Sequence, residues 1–169
     1  MTHLNISLGH IGNEGLRSLA ASQNLSGLTH LDLGRNEIGP EGVWAIAGSL
    51  HLRSLKHLDL RENAIGDAAI HPITTSANFR GLRSLNLSAA NISQDGIRTI
   101  AAARNLGSLS DLNLSGNGMG DGIADAVAMA LAGSSALTPS AKASALWSIG
   151  YHRLARQALA EDGQHAGRG

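Results

Sequence analysis

Histidine recurs at positions 3, 30 and 57, each time 27 residues on. Two residues after each of them stands Asn5, Asp32 or Asp59. Imidazole and carboxylate together suit a divalent ion such as zinc or nickel, so this row is the first place where chemistry could reside. A solvated histidine ladder explains the same spacing without an ion, and the expectation is no metal and no cofactor. Close histidines resist joint protonation, which lowers the pKa of the group. Contacts made through them should weaken at about pH 5–6, as they charge.

The same offsets extend both rows. Ser84 and Asp111 continue the histidine row, and Asn86 and Asn113 continue the second one. Just beyond lie Gly34-Arg35, Arg61-Glu62, Ser88-Ala89 and Ser115-Gly116. The candidate binding residues are therefore His30, Asp32, Arg35, His57, Asp59, Arg61, Glu62, Ser84, Asn86, Asp111 and Asn113. This mixture fits a charged, hydrogen-bonding protein surface. It contains none of the aromatic anchors that enrich binding hot spots, so weak binding is expected. No catalytic residue is assigned. Serine, histidine and aspartate share the face, but no Gly-x-Ser-x-Gly elbow is present. Asp111 to Gly122 opens like a calcium loop and ends on Gly where Glu is required. Gly116, Gly118, Gly120 and Gly122 lack the spacing of a phosphate-binding loop and read as a flexible turn.

The elements that must position these residues repeat at the same interval. Segments beginning at Leu28, Leu55, Leu82 and Leu109 read Leu-x-x-Leu-x-Leu. Leu28, Leu31 and Leu33 alternate with polar residues, which predicts a short strand with one face buried. Ile38, Ile65, Ile92 and Met119 return to the core in register. Gly39-Pro40-Glu41-Gly42 opens a helix, with proline in the first turn and an acid at the positive end of the dipole. Val43, Ile46, Ala47 and Leu50 then form its apolar stripe. Leu25, Leu52, Phe79 and Leu106 make a second buried ladder. Pro72 falls inside the next helix, followed by Thr74-Thr75-Ser76, so that helix should be short or broken. Ala90 replaces Asn in the third unit, and a gap is expected there rather than a shifted turn.

Parallel strands lie about 4.8 Å apart, so residues with equal offsets should stack into columns. A 27-residue period with this leucine spacing is the signature of a leucine-rich repeat solenoid. Leu-Thr-His-Leu-Asp-Leu-Gly-Arg-Asn-Glu-Ile-Gly at 28–39 and Gly-Leu-Arg-Ser-Leu-Ala at 15–20 carry a closer resemblance. They resemble bacterial leucine-rich repeats of the ribonuclease-inhibitor-like type, over residues 1–133. The resemblance implies an α/β fold: a right-handed horseshoe segment with parallel strands inside and helices outside. It also implies that Asn36 uses its amide to hold a turn. In function it implies a protein–protein interaction module that binds a protein partner on the concave strand face. The alternatives are a regulator of a GTPase, with Arg35 or Arg61 near the nucleotide, or a fragment of a larger bacterial effector.

Three regions are expected: a solenoid of about five units over 1–133, a capping helix over 134–160 and a flexible tail over 161–169. Trp147 and Tyr151, four residues apart, should share one helix face, which shields the last repeat; the alternative is an exposed docking helix. Nothing precedes the first unit to cover Leu4, Ile6, Leu16 and Leu19, so the expectation is a longer parent protein, self-association through that end, or a tolerated open edge.

The bulk composition narrows the classes. Net charge is +0, which gives no bulk attraction to nucleic acid or anionic membrane. Cysteine is absent, which removes disulfides and thiolate chemistry. No run approaches the roughly 18 apolar residues of a membrane span, and the start has no signal-peptide pattern. A cytoplasmic, non-enzymatic protein is expected.

Overall fold

The computed structural model describes residues 1–118 and 124–166, with side chains given for 1–118 and 125–160. Met119, Gly120 and Gly122, assigned above to a core position and a glycine-rich turn, lie outside the described residues.

Five three-residue strands form one parallel sheet: β1 (His3–Asn5), β2 (His30–Asp32), β3 (His57–Asp59), β4 (Ser84–Asn86) and β5 (Asp111–Asn113). They pair in sequence order, and each register step is one period: Leu4 against Leu31, Leu58, Leu85 and Leu112. The alternation read in the sequence has the expected cause. The central leucine of each strand turns into the core, and its two polar flanks turn to the opposite face.

A helix follows each strand: α1 (Gly12–Ala20), α2 (Pro40–Ala47), α3 (Ile70–Thr75), α4 (Gln94–Ala101) and α5 (Ala124–Ala132). One continuous aliphatic core lies between sheet and helices. In α2, Val43 and Ile46 are fully buried, as the stripe predicts. Leu50 is not part of it: the helix ends at Ala47, and Leu50 is 71% exposed. The first turn of α2 is held by the preceding coil, because Asn13 Oδ1 accepts the Gly39 and Gly42 amide hydrogens at 2.8 and 3.1 Å. Helix α3 is short, as Pro72 requires, and is preceded by a 3-10 turn over Asp67–Ala69.

The asparagine ladder carries the turns after the strands. Asn63 Oδ1 accepts the Asn36 and Ile38 amide hydrogens, both at 3.0 Å. Asn36 and Asn117 repeat the pattern on their own neighbours. Ala90 leaves the expected gap. It is fully buried in the asparagine slot, while Asn91 is exposed.

Two expectations about the ends are corrected. At the first coil, Leu4, Ile6 and Leu19 are only partly covered, but Leu16 is fully buried. A Cβ added at Gly42 would meet Leu16 Cδ2 at 3.1 Å, so α2 is what closes over it. At the other end, the single helix expected over 134–160 is two: α6 (Pro139–Ser148) and α7 (His152–Ala166). Gly150, at φ +90, separates them. Tyr151 N–H bonds Leu146 O at 2.8 Å and Gly150 N–H bonds Trp147 O at 3.1 Å. That pair is the Schellman closure, which requires a left-handed residue at the position Gly150 holds. Helix α7 also runs on to Ala166, through most of the stretch expected to be a tail.

Helix α6 lies on the edge of β5. The Leu33, Leu60 and Leu87 amides each donate to the next strand's Asp59, Asn86 or Asn113 carbonyl. Leu114 is next in that series. Its N–H donates to Ser148 Oγ at 3.0 Å, and Leu112 N–H donates to Ser144 Oγ at 3.2 Å. Two serines one helical turn apart thus take the donors that another strand would have taken. Replacing both (Ser144→Ala with Ser148→Ala) should cost about 2 kcal/mol. It should also open a strand edge to association. Urea unfolding and light scattering against concentration measure the two effects; an unchanged midpoint with no scattering would contradict this role.

Candidate functional site on the open strand face

The polar face of the sheet forms a groove of about 780 Å³ that runs from β1 to α6. The columns expected from the period are present: His3, His30, His57, Ser84 and Asp111 align in one, and Asn5, Asp32, Asp59, Asn86 and Asn113 in the next.

The histidine rings stack face to face. Ring centroids are 3.9 Å apart for His3–His30 and 4.0 Å for His30–His57, with interplanar angles of 20° and 11°. The lone pair of an imidazole lies in the ring plane. Stacked planes therefore present their nitrogens side by side and do not converge on one point. Among the described residues, no group of three His, Asp or Glu side chains could hold a metal ion. His3 Nδ1 and His30 Nδ1 instead hydrogen-bond the Thr2 and Thr29 hydroxyls, at 3.0 and 2.9 Å.

His30, the middle ring, has a pKa below its ordinary 6.5. Loss of hydration comes first among the causes, followed by the charges His57 and His3 would carry. The sign follows from linkage. The unfolded chain takes this proton more readily than the folded one, so folded stability falls as pH drops through 6.5. Urea midpoints should therefore be lower at about pH 5.5 than at about pH 7.5, and His30→Asn should shrink the difference. An equal pH slope in the variant would show that the stack contributes nothing.

The second column is mostly occupied with holding the turns. Asp32 Oδ1 and Asp59 Oδ1 each accept the amide hydrogen two residues on, both at 2.9 Å, and Asn86 and Asn113 do the same at 3.1 and 3.0 Å. Arg61 bridges the two carboxylates: its Nη2 is 3.5 Å from Asp32 Oδ2, and its Nη1 bonds Asp59 Oδ2. Asn5 and Asn86 donate to the same oxygens, each at 3.1 Å. The Arg61 side chain lies across Gly34, where a Cβ would stand 3.0 Å from its Cγ and Cζ. Arg35 pairs with Glu62 at 2.7 Å. That hydrogen bond is the main reason the Glu62 carboxyl is held below its usual range. Both arginines proposed for a nucleotide are thus already engaged by carboxylates.

The α6 end of the groove holds a side chain that the sequence did not place on the strand face. Trp147 lines the groove, and Ser144 and Ser148 lie beside it. Expected to shield the core, Trp147 is 52% exposed and stacks on His152 with centroids 4.4 Å apart. The face does have an aromatic anchor, delivered by the C-terminal segment and not by a repeat. Tyr151, expected on the same face, donates its hydroxyl to Asp125 Oδ1 at 2.6 Å.

A family model described as a leucine-rich repeat matches residues 1–20, 26–47, 51–71 and 108–128. This is a leucine-rich repeat protein. The repeats it matches are the coils built on β1, β2, β3 and β5. The unmatched stretch, 72–107, begins at the proline of α3 and contains the coil in which Ala90 breaks the asparagine ladder. No curated protein gives a significant match. Among the described residues, no helix is long and apolar enough to cross a membrane.

Proposed function

We propose that this leucine-rich repeat protein is an interaction module that binds a protein partner in the groove on its open strand face. One observation carries the reading. The face joins a stacked histidine platform, a hydrogen-bonding column and the half-exposed Trp147 in one groove. An apolar anchor ringed by polar groups is the usual make-up of a binding hot spot. Leucine-rich repeats commonly serve as such modules, and the binding residues we assign are those set out from the sequence with Trp147 added. A ribonuclease-inhibitor-like, right-handed horseshoe segment fits the 27-residue period with a helix in each coil. In the same reading α6 and α7 cap the last coil, supported by the two serines on the β5 edge.

The test is paired capture with wild-type bait and with bait carrying His57→Ala and Ser84→Trp, which remove one ring of the platform and plug the middle of the groove. A partner retained by wild type and lost from the plugged protein supports the reading. A partner held equally by both overturns it.

A further inference from the structure

The carboxylates along the groove are not equivalent. Asp32 and Asp59 share Arg61, and Glu62 has Arg35. Asp111 has no cationic partner among the described residues. It is exposed, and its two oxygens are fixed in place by hydroxyls. Ser84 Oγ donates to Oδ2 at 3.0 Å, and Ser144 Oγ donates to Oδ1 at 2.5 Å. A carboxylate offers about four acceptor positions, so this one keeps capacity for two more donors while held in a fixed orientation. Trp147 stands three residues after Ser144 on α6, hence on the same helix face, and it lines the same groove as Asp111.

We propose that this end of the groove takes an arginine side chain from a basic segment of the protein partner, held between the Asp111 carboxylate and the Trp147 indole. The inference rests on the reading of the face given above and names the chemistry of its partner. Charge complementarity selects the occupant: an oriented carboxylate without a counterion beside an exposed aromatic ring attracts a cation twice over. Arginine suits it better than lysine, because a planar guanidinium can stack on the indole while its N–H fork meets the carboxylate edge.

The probe is a blocked Gly-Arg-Gly-Arg-Gly peptide, with lysine and glutamate versions for comparison. Trp44 lies on α2, away from the groove, so a Trp44→Phe background leaves Trp147 as the only indole. Titration at low salt should give a saturable fluorescence change with the arginine peptide, a weaker one with lysine and none with glutamate. Asp111→Asn keeps the shape of the site and should weaken binding about tenfold. Calorimetry should show Trp147→Ala losing affinity that Trp147→Phe largely restores, and Glu14→Gln on α1 changing nothing. Absence of saturable binding, or equal affinity in Asp111→Asn, overturns the proposal. A captured partner that is lost from the plugged protein but held equally by Asp111→Asn also overturns it, while leaving the binding face itself supported.

Discussion

Asn63→Ala should lower folding stability by about 3–5 kcal/mol, summing the cost of buried groups left unpaired. The Asn63 amide makes five hydrogen bonds that join two coils. It accepts from Asn36 and Ile38 N–H and donates to the Leu33, Leu60 and Arg61 carbonyls at 2.9, 3.0 and 3.2 Å. Alanine removes all of them, and water has little access because Asn63 is buried. The two amide hydrogens it served belong to the turn that carries Arg35, so the strand-face geometry should loosen with it. Asn63→Asp keeps the acceptor but turns an anion toward three carbonyl oxygens, and should be comparably harmful at neutral pH. Urea denaturation followed by circular dichroism measures both. A loss below about 1 kcal/mol would mean that the ladder is replaceable by ordinary turn hydrogen bonding.

The second large effect is expected at Phe79, the most voluminous fully buried side chain. It occupies the column of Leu25, Leu52 and Leu106, so three of the four coils there manage with leucine. Phe79→Ala should cost about 3–5 kcal/mol, through lost burial plus the cavity left behind. Phe79→Leu, which copies the neighbouring coils, should cost only about 1 kcal/mol. Because each coil is buried only by its neighbours, the alanine variant should loosen the coils on both sides, which hydrogen exchange at Leu31 and Leu85 would register. If leucine proved as damaging as alanine, the third coil would differ in shape from its neighbours and the column would not be a true repeat position.

Much of the architecture was legible before any coordinates, for a simple reason. A solenoid converts spacing along the chain into adjacency in space, so equal offsets must become columns. The histidine stack, the mixed column beside it and the Leu25–Leu106 ladder follow from that conversion, whereas the short α3 and the gap in the asparagine ladder follow from single residues, Pro72 and Ala90. The failures fall where an element ends or where a neighbouring element supplies the cover. Leu50 sits past the last turn of α2, and Gly150 divides a segment whose apolar stripe had looked like one helix. Leu16 was misjudged because its cover comes from the following coil.

The candidate site divides in the same way. Periodicity alone assigned which residues line the face, since backbone register leaves them no other place. It could not say which of their charges are spent. Arg61 reaches back across Gly34 to two carboxylates, whereas Asp111 faces α6 and meets only hydroxyls. Nor could it bring Trp147 to the groove. That placement depends on how a segment without repeats docks on the edge of β5 through Ser144 and Ser148. Such contacts are decided by the closure of the chain in three dimensions, and no spacing along it encodes them.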